Sequence, residues 1–128
     1  MFCSEPETIQ HLFFDCLVAT LIWEFMSLLL GKNLGSSLEQ IAHFWVGNRK
    51  NEVLNMATAA VLWSLWKCRN NIFFRSSAWS SMHVIWRMVL RHLRSWKHLC
   101  SNANQDVLAH MLRRLEDKSV EIPRLRLR

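Results

Sequence analysis

An all-α fold is what this sequence predicts, arranged as a compact bundle of about four to five helices. Three observations carry that expectation. Apolar residues recur at steps of three and four along most of the chain, and no stretch alternates cleanly between apolar and polar over six residues. Only 3 Gly and 2 Pro in 128 residues leave little material for tight turns. Hydrophobic residues make up 51% and charged residues 20%, a composition that folds rather than staying disordered. The length suits one domain, expected over 1–117, with a basic, frayed tail over 118–128.

The first helical signal opens at Ser4-Glu5-Pro6-Glu7. Ser4 is placed to cap, Glu7 to close a capping box, and Pro6 is tolerated in a first turn. Apolar residues then run to Leu30 and stop at Gly31. Within this run Cys3, His11 and Cys16 have the spacing C-x7-H-x4-C, and soft thiolates with an imidazole suit tetrahedral zinc. Metal and helix compete here. Residues five apart sit about 140° around a helix axis, so His11 and Cys16 reach one ion only where the helix breaks between them. A zinc-bound form predicts a kink near Asp15-Cys16 and a second helix from about Val18. A metal-free form predicts one continuous helix from about Glu5, and the run from Thr8 to Leu30, which holds no proline, favours the unbroken helix.

Residues 31–37 read as a loop, and 38–46 as a short amphipathic helix capped by Ser37 and stopped at Gly47. The longest helix is expected over 48–74, with Val53, Met56, Ala57, Ala60, Trp63 and Trp66 on its buried side. Residues 78–101 give the strongest pattern. Met82, Ile85, Trp86, Val89, Leu93, Trp96 and Cys100 form an apolar stripe, while Arg87, Arg91, Arg94 and His98 line the opposite face. A last helix is expected over 104–117, burying Val107, Leu108, Met111, Leu112 and Leu115.

Two segments resemble a known family. Cys3-Ser4-Glu5-Pro6-Glu7-Thr8-Ile9-Gln10-His11-Leu12-Phe13-Phe14-Asp15-Cys16, followed by Ala19 and Ile22-Trp23, resembles the zinc-binding C-terminal region of plant non-LTR (LINE-type) retrotransposon reverse transcriptases. The run Leu62-Trp63-Ser64-Leu65-Trp66-Lys67-Cys68-Arg69-Asn70-Asn71-Ile72-Phe73-Phe74 resembles the helix that follows the knuckle in those proteins. The resemblance spans roughly the first hundred residues. It implies zinc as cofactor, with Cys3, His11 and Cys16 as ligands of a degenerate N-terminal knuckle over 1–30. The fourth ligand, a cysteine three residues before Cys3, is missing, so the chain is expected to begin inside the motif. The family's region lies downstream of the polymerase and is thought to help hold template RNA or target DNA.

Charge is polarised along the chain. Residues 1–30 carry four acids and no Lys or Arg, whereas residues 67–128 carry thirteen bases against four acids. Such polarity invites an anionic partner for the second half, RNA or DNA, although charge alone favours the plainer reading that these cations solvate the outer faces of helices. The candidate contacts are Arg87, Arg91, Arg94 and Lys97, with Arg69 lying past the buried stripe. Trp63 and Trp66, three apart on one helix face, are expected in the core. The apolar first half suits self-association or a protein partner. A competing expectation is a helical remnant without nucleic-acid activity, non-functional or acting by protein contact.

Catalysis is not expected. A polymerase needs paired aspartates for two metal ions, and Asp15, Asp106 and Asp117 lie far apart in sequence. No Gly-rich phosphate loop is present. Four cysteines without a secretory signal predict reduced thiols in the nucleus or cytoplasm rather than secretion. The longest apolar run, 17–30, is interrupted by Glu24 and falls short of the ~20 residues a membrane helix needs.

Overall fold

The computed structural model describes residues 8–34, 36–45, 51–74 and 82–119. Among these residues five α-helices carry the fold: α1 (Leu17–Leu30), α2 (Leu38–Trp45), α3 (Glu52–Phe74), α4 (Met82–Trp96) and α5 (Gln105–Asp117). A π-helical turn, His11–Asp15, precedes α1, and short 3-10 turns, Lys97–Leu99 and Asn102–Asn104, join α4 to α5. Among the described residues there is no strand, and the all-α expectation holds. The expected capping box at 4–7 and the basic tail from 120 lie outside the described residues.

The first helix is broken, which corrects the favoured unbroken form. Cys16 is extended at ψ 144°, and its N–H closes the π-turn by donating to the His11 carbonyl at 2.8 Å. A break exposes carbonyls that need donors. Trp23 Nε1 donates to the Phe13 carbonyl, and Thr20 Oγ1 donates to the Phe14 carbonyl at 3.0 Å. The break also lays Phe14 flat on Trp23, ring centroids 5.4 Å apart and 12° from parallel. Satisfied carbonyls and a stacked indole thus replace the turn of helix that is lost. At the other end Gly31, at φ +65°, adopts the left-handed cap that L side chains disfavour.

α2 begins as expected, with Ser37 Oγ accepting the Gln40 N–H at 3.2 Å. α3 is the central helix and packs most extensively on α4. Its buried line is Val53, Ala57, Ala60, Val61, Ser64, Leu65 and Cys68. The small side chains in that line let α4 approach closely, and the core is completed by Ile22, Met26, Ile85, Trp86, Val89 and Leu93. Trp86 sits at the centre, edge-on to Phe25 at 4.9 Å, with its Nε1 donating to Ser119 Oγ at 2.9 Å.

Three expected core positions are corrected. Trp63 and Trp66 are 45% and 39% exposed. From Ala60, steps of four continue the buried line through Ser64 and Cys68, whereas 63 and 66 rotate off it towards solvent. Val107, expected in the α5 stripe, is also exposed, while Leu108, Met111, Leu112 and Leu115 are buried.

Glu52 fixes the direction of packing. From the start of α3, its carboxylate accepts from the Ser101 N–H and hydroxyl at 2.9 and 2.7 Å, and from Asn104 Nδ2 at 2.7 Å. The start of α3 therefore lies beside the end of α4, and the two helices run antiparallel. Hydrogen bonds to a charged group contribute roughly 1.5–3 kcal/mol net. Glu52→Ala is expected to destabilise the fold by about that amount, read as a lower urea midpoint at unchanged m-value.

Candidate nucleic-acid interface

α4 presents a basic face because its periodicity buries one side completely. Met82, Ile85, Trp86, Val89, Leu90 and Leu93 face the core. Arg87, Arg91 and Arg94 are exposed on the other side, where the sequence places them, whereas Lys97 and His98, expected on the same helix, are exposed in the 3-10 turn past its end at Trp96. Arg94 is not a free cation. Its Nε and Nη2 donate to Glu116 Oε1 of α5 at 3.0 and 2.8 Å. An exposed pair of this kind contributes about 0–1 kcal/mol, so phosphate can displace it, but Glu116 offsets one charge of the ladder.

The geometry orders the neighbours of this face. Glu116 marks α5 on one side of α4. On the other side Lys67 of α3 and Arg91 both act on His92. The molecule therefore carries positive charge on both sides of the α3–α4 seam. His92 stacks on Trp96 at 5.4 Å, and its Nε2 is buried without a hydrogen-bond partner. Burial first, then Lys67 and Arg91, push the His92 imidazole below its usual range.

The sign of the linkage follows. Folded His92 takes up a proton less readily than unfolded His92, so the unfolded chain gains protons first as pH falls below about 6.5. Stability is complete above that pH and declines beneath it. Urea midpoints are expected to drop between pH 7 and pH 5, and His92→Leu is expected to flatten part of that drop.

Arg69 is half-buried rather than extended into solvent. Its guanidinium lies 5.4 Å from the Trp66 ring centroid, and Nη1 donates to Asn70 Oδ1 at 2.9 Å. Lys67 Nζ lies 5.8 Å from the Trp63 ring centroid. The sequence reading missed this aromatic–cation pairing because it assigned both indoles to the core. The signal was present as Trp63 followed four residues later by Lys67, neighbours on a helix surface.

The implied zinc ligands are only partly brought together. Cys16 and His11 occupy the two ends of the π-turn. Cys16 is buried, and His11 Nε2 is buried without a hydrogen-bond partner. Cys3 lies outside the described residues, and among those residues no group of three or more His, Cys, Asp or Glu could hold a metal ion. The other thiols stay protonated: burial raises Cys68 to about 11, and burial followed by Glu52 raises Cys100.

A groove of about 770 Å³ opens beside α1, with Asp15, Glu24 and Lys32 on its walls. Thr20 and Ser27 also line it. No helix among the described residues is long and apolar enough to cross a membrane. No protein-family model, curated protein or solved structure matches the chain.

Proposed function

We propose that this chain is a non-catalytic helical module that binds RNA or DNA weakly and without sequence preference. It resembles the knuckle and helical tail of a LINE-type reverse transcriptase. The observation that carries this reading is the exposed pair Arg87 and Arg91 on α4, whose opposite side is buried, with Lys97 exposed in the 3-10 turn that follows. Lysine and arginine on one rigid face contact successive phosphates and release counterions. Such contacts position a strand but read no bases. Binding of this class has dissociation constants of about 10⁻⁴–10⁻⁶ M at physiological salt.

The same resemblance assigns zinc to Cys3, His11 and Cys16. An ion there would pin the π-turn. The phosphate face on α4 is built by Trp86 and its neighbours and does not depend on it.

A second reading has its own observation. Leu17 and Leu28 are 52% and 74% exposed and project from the same side of α1, as a step of eleven residues returns to one helix face. That stripe suits a protein contact. Fluorescence polarisation of a labelled oligonucleotide, combined with sedimentation of the free chain, separates the two. Salt-sensitive binding by a monomer supports the first reading; a salt-insensitive oligomer that ignores nucleic acid supports the second.

A further inference from the structure

Trp63 and Trp66 are large, adjacent and exposed, and the phosphate face does not account for them. Fully burying an aromatic side chain yields about 1.5–3 kcal/mol, yet α3 turns two indoles outward while lining its core side with Ala57, Ala60 and Ser64. Scattered exposed apolar residues need no explanation; two indoles side by side, each beside a cation, call for one. Lys67 lies by the Trp63 ring and Arg69 by the Trp66 ring. Trp66 is further backed by Phe13, ring centroids 6.4 Å apart, which fixes it as the rigid member of the pair.

The position of this pair matters as much as its exposure. α3 and α4 are antiparallel neighbours, held so by Glu52. Lys67 sits at the seam beside His92, and Arg91 follows on α4. At 100° per residue Trp66, Trp63 and Lys67 follow one another round α3, and Lys67 is near enough to His92 of α4 to act on its charge. The indoles thus continue round α3 from the cation that meets α4.

We infer that Trp63 and Trp66 form a stacking platform for unpaired bases, making single-stranded nucleic acid the preferred ligand of the face described above. The inference rests on the proposed phosphate contacts by Arg87, Arg91 and Lys97. A duplex keeps its bases stacked inside and offers this platform nothing. A single strand can turn its bases onto the indoles while its phosphates lie against Lys67 and α4. Every base has a π-face, so the platform adds strand selectivity without sequence preference.

The test compares a labelled 12-nucleotide oligo-dT with a 12-base-pair duplex on the full chain by fluorescence polarisation. The chain is expected to bind the single strand more tightly. Trp63→Leu is expected to weaken single-strand binding roughly 5- to 100-fold, leaving duplex binding and the salt slope unchanged. Trp63→Phe, which keeps a ring, is expected to restore most of the loss. Because Trp63 is exposed, a far-UV circular dichroism spectrum like the parent's is expected for both variants. Equal binding of both probes, or equal weakening of both by Trp63→Leu, overturns the platform and leaves the phosphate face standing. No binding of either probe overturns both. A shift in sedimentation of the free chain on Trp63→Leu marks the indoles as a protein contact and also overturns the platform.

Discussion

Replacing Trp86 with alanine is expected to cost about 3–5 kcal/mol, the range for truncating a buried Trp or Phe. A domain of this size has about 5–15 kcal/mol in total, so the variant should lie near its unfolding threshold at room temperature. The side chain is 1% exposed, meets Phe25 of α1 edge-on and donates to Ser119 beyond α5. It therefore joins three segments through one indole, and the space it leaves cannot close by moving one helix. Trp86→Phe is expected to keep the ring contact and cost less, and Ser119→Ala should remove only the hydrogen bond. Urea unfolding followed by circular dichroism orders the three: Ala worst, Phe intermediate, Ser119→Ala mildest.

The second large effect concerns binding. Neutralising Arg87, Arg91 and Lys97 together to glutamine removes three phosphate contacts. Each contact to a single strand contributes about 0.7 to the slope of log K against log salt, so the slope should fall by about 2. With the electrostatic part vanishing near 1 M salt, the same change lowers affinity at 0.1 M by about a hundredfold. All three side chains are exposed, so the substitutions should leave the fold near its parent stability.

How much of this was legible in the sequence depends on which interaction set each feature. α4 was plain because one helix face is continuously apolar and the other continuously basic, a pattern that local periodicity alone fixes. Ser37 and Gly31 acted as cap and stop, since capping chemistry is also local. The break at Cys16 was legible only as the less favoured alternative. It depends on Thr20 and Trp23, four and seven residues further on, turning back to satisfy carbonyls that a break exposes. Reading Trp63 and Trp66 as core failed because size outweighed geometry. The buried line runs through Ala57, Ala60 and Ser64, small residues whose importance lies in how closely α4 approaches them. The Arg94–Glu116 pair was equally out of reach, because it joins residues on two helices and no spacing within one helix reveals it. The candidate interface was thus half visible: its cations could be read along α4, and its aromatic edge only once α3 lay beside them.

The most direct measurement is the affinity of the parent chain and of the Arg87, Arg91, Lys97 triple glutamine variant for labelled oligo-dT across 50–300 mM salt, at about a twofold spacing. A steep slope for the parent that falls by about 2 in the variant is the predicted result. Equal slopes for the two proteins would contradict the account, because the basic face of α4 would then contribute nothing to binding.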